Sequence, residues 1–272
     1  MNFDAVRDYK VLLVGDAIDD RYVFVRPLGK SIKESVISVE REREELYRGG
    51  VWAAASHLES LCSKVDVMHG PRVVINTRFV EGIYNRKLLT LHESRETQSE
   101  EKDISKYDLV IVTDFGHGTM TPEMIERVSK ARFLAVNAQT NSSNFGFNLI
   151  TKYQRADYVV VDELEARLAA HDRDSPIEDV ILALGYKKIV VTLGANGAVG
   201  FDGEFYREKA QADHVLDTMG AGDAFLAVSA PFARAMFSIR DLVRIGNAAG
   251  AAKVGVLGHR RSITKDELGL RD

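Results

Sequence analysis

Asp217-Thr218-Met219-Gly220-Ala221-Gly222-Asp223-Ala224-Phe225 leads straight into an Ala-rich stretch, Gly220–Met236, that reads as a long helix. Glycines at 220 and 222 remove side chains from the helix start, so backbone N–H groups can converge there on an anion. The helix dipole adds partial positive charge at the same point. Asp223 falls in the first turn, beside the place where an anionic group would be held, and a carboxylate there can take a proton from an attacking hydroxyl. A bare Gly-x-Gly-Asp is equally a glycine-rich helix start with its acid stabilised by the dipole. The full nine-residue string is far more specific.

Upstream, short β-rich runs alternate with helical patterns. The runs are Lys10–Val14, Leu109–Asp114, Phe133–Asn137, Tyr158–Val161 and Ile189–Leu193, several of them apolar at nearly every position, as parallel strands covered on both faces require. Between them lie helical patterns at Val51–Leu61, Pro122–Lys130, Glu163–Ala170 and Ile177–Leu184, with Thr121 and Pro122 forming a cap-and-first-residue pair. A second Ala-rich helix, Ile239–Val254, follows the first, and small residues in both permit close packing. Alternation of this kind predicts right-handed crossovers and an α/β doubly wound, mostly parallel sheet flanked by helices. Two stretches, 22–45 and 73–93, alternate polar and apolar residues instead and predict two hairpins forming a small exposed sheet beside the main body, or else two surface loops.

The chain has 272 residues, enough for one large α/β domain, and 45% hydrophobic against 28% charged residues, a balance that supports a real core. A net charge of -4 gives no general attraction to nucleic acid or anionic lipid. One cysteine, Cys62, excludes an internal disulfide and fits a reducing cytoplasm. The N-terminus does not read as a signal peptide, and no apolar run approaches the ~20 residues that span a bilayer. A soluble protein is expected. The P-loop pattern is absent, and His and Cys show no metal-ligand spacing.

The string Asp-Thr-x-Gly-Ala-Gly-Asp resembles the C-terminal signature of ribokinase-like (PfkB) carbohydrate kinases. The resemblance implies an ATP-dependent transfer of the γ-phosphoryl group to a sugar hydroxyl, with Gly220, Ala221 and Gly222 as an anion hole and Asp223 as the general base. Other positions follow in the family's order. Gly15-Asp16-Ala17-Ile18-Asp19-Asp20-Arg21-Tyr22 resembles the opening segment, closest to the heptose-phosphate kinases, and sets Asp20 on the sugar hydroxyls. Arg48-Gly49-Gly50 resembles the Gly-Gly motif before the first helix, where backbone approaches the sugar, although the Asn expected a few residues later is missing. Asp162-Glu163-Leu164-Glu165 resembles the Asn-x-x-Glu motif that orders Mg²⁺ through water, with Asp162 in place of Asn; a capped helix start explains these acids as well. Thr192, Gly194 and Gly197, together with Asn247, match the nucleotide side.

The resemblance runs along essentially the whole chain and implies one ribokinase-like domain over residues 1–272, its β lid built from the two alternating stretches. Between Leu61 and Val73 it implies a lost or shortened strand and helix, and Asn137-Ala138-Gln139-Thr140-Asn141 replaces an Asp-Pro-Lys type of loop. It is closest to heptose-phosphate kinase modules that are often fused to nucleotidyltransferase domains. It therefore implies a sugar or sugar phosphate as substrate, Arg78 against the acceptor phosphate, and a fused or partner nucleotidyltransferase. The alternating lid strands, which would leave hydrogen-bonding edges and one apolar face exposed on a monomer, predict a homodimer through the lid. A non-catalytic sugar- or nucleotide-binding module and a kinase of a nucleoside or other alcohol stay open as alternatives.

Overall fold

The computed structural model describes residues 4–84, 86–212, 214–256 and 258–269. After a single helical turn, α1 (Asp4–Arg7), the chain enters β1 (Lys10–Lys30), whose first residues are apolar on both sides because the strand lies mid-sheet. β1 turns back into β2 (Ile37–Gly50), which passes into α2 (Val51–Leu58); β3 (Lys64–Glu81) and β4 (Arg86–Glu96) follow as a second hairpin. Then come β5 (Leu109–Asp114), α3 (Pro122–Val128), β6 (Leu134–Ala138), β7 (Tyr158–Asp162), α4 (Glu163–Ala170), α5 (Ile177–Leu184) and β8 (Ile189–Thr192). The short strands β9 (Ala198–Phe201) and β10 (Phe205–Glu208) precede α6 (Ala221–Arg234) and α7 (Ile239–Val254).

All ten strands join one sheet in the order β10-β9-β8-β7-β6-β5-β1-β3-β4, with β2 paired to β1 off this path. The pairs from β3 through β1, β5, β6 and β7 to β8 are parallel, and β2, β4, β9 and β10 are attached antiparallel. Alternate side chains of each central strand enter opposite cores. Val11, Leu13, Leu109, Ile111 and Val190 pack under α2, α6 and α7, while Leu12, Val14, Val110, Val112 and Val191 pack under α3, α4 and α5. Both faces of the central part of the sheet are therefore covered, as the near-continuous apolar runs require.

Where the alternating stretches predicted a small sheet beside the main body, the hairpins are continuous with it. β1 and β3 run unbroken out of the core, stay paired in parallel from Lys10↔Lys64 to Val25↔Glu81, and carry β2 and β4 on their outer edges. The expectation of a missing strand between Leu61 and Val73 is corrected by the same pairing: Lys64–Met68 is that strand, and its hydrophilic spacing (Lys64, Asp66) hid it. No helix lies between Leu61 and Val73, so the strand flows directly into the projecting sheet. Tyr22, Phe24 and Val80, with Tyr47 against them, form a small core of that sheet's own. Among the described residues no helix is long and apolar enough to cross a membrane.

Candidate active site

The carboxyl ends of the parallel strands and the inner face of the projecting sheet meet at the start of α6. In open α/β sheets this edge is where ligands bind. Gly220 caps α6 in the left-handed region, φ 76°, a conformation glycine adopts without strain. A Cβ added at Gly222 would meet nothing within 4 Å, so the space beside this backbone is open. Asp223, in the helix's first turn, is buried, and Gln139 Nε2, just past β6, donates to its Oδ1 at 2.5 Å. Burial pushes the Asp223 carboxyl up to about 6, against the downward pull of His259, Gln139 and Lys253.

Asp20 lies on β1 where the strand leaves the core. It is ion-paired with Arg78 through Oδ1 and faces His259 Nε2 at 3.4 Å through Oδ2. Burial raises its carboxyl, but the His259 hydrogen bond and the Arg78 charge outweigh that and hold it below the usual value. The guanidinium of Arg78 also lies 5.4 Å from the centre of the Tyr22 ring. Gly49 is the residue whose backbone lies against this group: a Cβ there would collide with Asp20 Oδ2. Gly50 caps α2 at φ 57°, and a Cβ there would strike the carbonyl of Asp16. Asp16 itself is structural, accepting from the N–H groups of Phe115, His117 and Thr119 at 2.9, 3.1 and 3.0 Å.

Two residues that the sequence reading passed over stand at the centre. Lys253, on α7, is fully buried, and its Nζ donates to the carbonyls of Met219 and Gly258, each at 2.8 Å. Desolvation lowers its basicity, and the nearby carboxylates of Asp217, Asp223 and Asp20 resist that. Its signal was a lone lysine inside Ala248-Ala249-Gly250-Ala251-Ala252-Lys253-Val254. His259 packs against both Gly49 and Gly220, since Cβ atoms there would lie 3.5 and 3.0 Å from its ring. Asp217 accepts from Met219 N at 3.2 Å and Gly258 N at 3.1 Å, which clamps the turn before α6 to the 258–259 segment. From the projecting sheet, Lys87 reaches Asp217 at 3.7 Å, and Arg260 bonds Glu45 and Tyr47 at 2.8 and 3.0 Å.

The metal candidates, Asp162 and Glu165, form a reciprocal capping box at the start of α4. Glu165 accepts from Thr140 N at 3.0 Å and Asp162 N at 2.9 Å, and burial beside Asp162 pushes its carboxyl up to about 8. Two clustered hard oxygen donors short of positive charge suit a partly hydrated divalent cation. Among the described residues no group of three or more His, Cys, Asp or Glu is arranged to hold a metal unaided. Thr192 and Gly194 share a 420 Å³ surface depression with Asp162. Gly197 and Asn247 lie further along: a Cβ at Gly197 would strike the Glu208 carbonyl, and Asn247 Nδ2 donates to the carbonyls of Glu208 and Lys209 at 3.4 Å each.

A doubly wound sheet with this glycine-lipped helix start is the ribokinase-like fold. Ribokinase from Thermotoga maritima matches with a TM-score of 0.69 and 15% identity over 96% of this chain and 98% of that one. Ribokinase from Arabidopsis thaliana, complexed with ribose and ATP, matches with a TM-score of 0.68 and 15% identity over 96% and 97%. The chain belongs to the pfkB family of carbohydrate kinases, whose family model matches residues 75–266. It is also 26% identical over 297 residues to the bifunctional protein HldE of Desulfatibacillum aliphaticivorans, covering 92% of this chain and 60% of that protein. The chain thus spans about 60% of the length of the curated relatives it matches.

Proposed function

We propose that the chain transfers the γ-phosphoryl group of ATP to a hydroxyl of a sugar phosphate, a heptose phosphate being favoured, with Asp223 as the general base. The single observation that carries this is the pairing of a buried carboxylate with the open, glycine-lined start of α6. Asp223 takes the proton of the acceptor hydroxyl, the hydroxyl oxygen attacks the γ-phosphorus, and the bond to the β-phosphate oxygen breaks to release ADP. Backbone N–H groups of Gly220, Ala221 and Gly222, aided by the dipole of a 14-residue helix, offset charge on the transferred group. A carboxyl raised to about 6 is mostly ionised at neutral pH yet basic enough to accept a proton.

Asp20 orients the acceptor through its hydroxyls, with Gly49 and Gly50 allowing the close approach, and Arg78 holds Asp20 ionised and in place. Thr192, Gly194, Gly197 and Asn247 border the nucleotide. Mg²⁺, held by the nucleotide and by Asp162 and Glu165 through water, would neutralise phosphate charge. The projecting sheet acts as a lid that excludes water, a competing acceptor, because it already touches the 217–219 turn and the 258–260 segment. The HldE relatives support a heptose phosphate acceptor and an association with a nucleotidyltransferase domain, encoded alongside or supplied by a partner. The outer face of the lid supports a homodimer, and a cytoplasmic setting fits ATP as donor.

ADP release measured across sugars and sugar phosphates tests the assignment. Asp223→Asn is expected to bind ATP like the wild type while turnover falls ~10²–10⁴-fold. Retention of more than half the wild-type turnover would remove Asp223 from the role of base.

A further inference from the structure

A cavity of 570 Å³ opens beside Asp20, between α2 and the 259–262 segment, and no role proposed above uses it. Arg48, Trp52, Ser56, His57, His259 and Arg261 are on its wall. Two of these carry buried ring nitrogens without a hydrogen-bond partner among the described residues, His57 Nε2 and His259 Nδ1. His57 is 2% exposed, and its Nδ1 accepts from Ile263 N at 3.2 Å. Burial, with Lys253 and His259 nearby, drives its basicity down to about 3, so the ring is neutral and Nε2 must carry the proton. An orphaned buried donor of this kind is costly unless a ligand or water meets it.

The same wall carries two arginines. Arg48 lies 5.0 Å from the Trp52 ring centre and has no carboxylate partner among the described residues. Arg261 is held by two bonds to Glu267, 2.8 and 2.6 Å, which fix its guanidinium at the rim. Glu59 is the one carboxylate among the described lining residues. Arg78, which pairs with Asp20, does not line the cavity. His259 joins the cavity to the reaction site, because its Nε2 faces Asp20 while its ring also lines the cavity.

We propose that this cavity seats the phosphorylated end of the acceptor, with Arg48 and Arg261 on the phosphate and the imidazoles of His57 and His259 on neighbouring hydroxyls. The proposal rests on the kinase reading only for calling the ligand an acceptor. Guanidinium groups grip phosphate through paired, charge-assisted hydrogen bonds, and an unpaired imidazole nitrogen can donate to or accept from a hydroxyl, which does both.

Trp52 is the only tryptophan of the chain, so its fluorescence reports on this wall directly. Inorganic phosphate titrated into nucleotide-free protein is expected to change Trp52 emission saturably in the millimolar range. Sedoheptulose 7-phosphate should bind more tightly than phosphate or sedoheptulose alone. Arg48→Ala and Arg261→Ala should each weaken binding ~10-fold, the scale of a lost charge-assisted hydrogen bond. Both arginines are largely exposed, so folding is expected to survive, and the pair separates binding here from phosphate held at the start of α6, which neither lines. If acceptors turn over while Trp52 emission stays unmoved, or the double variant binds as the wild type does, the cavity assignment falls and the kinase reading stands. If phosphate binds through the two arginines but no acceptor is phosphorylated, the anion site stands and the kinase reading falls.

Discussion

At Asp223 the proposed chemistry and stability make opposite demands. Its carboxyl rises from an ordinary 3.8 to about 6 on folding, chiefly through burial. The native state therefore holds a proton that the unfolded chain has released between those two values, and stability falls as pH rises through that window. Above it the folded protein carries a buried charge, so Asp223→Asn should raise stability at pH 7–8 by roughly 1–3 kcal/mol. Urea unfolding at that pH checks this, and unchanged or lower stability of the variant would contradict it. The same substitution is expected to abolish most turnover, so the two effects should run in opposite directions. Lys253 pulls the other way on the same carboxyl. Lys253→Met removes a positive charge facing Asp223 and leaves the Met219 and Gly258 carbonyls without their donor. Loss of that charge should move the acidic limb of the kcat/KM profile to higher pH. A purely structural lysine would lower activity without moving the limb.

Among the elements, α6 and α7 show how packing transmits to the site. A Cβ at Gly246 of α7 would collide with the ring of Phe225 on α6, two residues after the proposed base. Gly246→Leu should cost ~1–3 kcal/mol by overpacking, and turnover should fall beyond what the loss of folded protein explains, because Phe225 cannot shift without moving Asp223. Full specific activity of the remaining folded variant would uncouple the two. The close approach of these helices was legible in their Ala and Gly content, as were the central strands, because burial on both faces leaves an unbroken apolar run such as Leu109–Val112. β9 and β10 were not: each has four residues, too few for a period to show beside turn residues such as Gly197 and Gly203. The continuity of β1 and β3 through core and projecting sheet was hidden too, since parallel register is a non-local fact. At the site, the helix start around Asp223 announced itself through contiguous residues. Gln139, Lys253 and His259 come from three separate segments and converge only when the sheet is wound.

Viewed whole, the molecule leaves one surface of its projecting sheet poorly matched to water. Directly paired residues share a sheet face, so the ladders Arg21↔Leu46, Arg21↔Thr77 and Thr77↔Leu91 put these side chains together, and Val23↔Glu44, Val23↔Phe79 and Phe79↔Leu89 extend the same face. It is opposite the one carrying Asp20, Tyr22 and Arg78. Leu46, Leu89 and Leu91 stand 61%, 61% and 47% exposed on it. Arg21 and Glu44, 3.2 Å apart, supply both signs of charge amid the leucines, which lets two copies related by a twofold axis meet each other's charges with their opposites. A homodimer through this face would cover the apolar rows and hold both projecting sheets at a fixed angle to the rest of their chains. A stable contact buries about 1,200–2,000 Å² in total, within reach of a four-stranded face. Light scattering coupled to size exclusion at micromolar concentration is expected to give twice the chain mass for the wild type and the chain mass for Leu89→Glu with Leu91→Glu. Glutamates at these positions sit on strand edges already facing solvent, so the double variant should fold and show unaltered far-UV circular dichroism. A wild type that elutes as a strict monomer, or a double variant that stays dimeric, would contradict a dimer through this face.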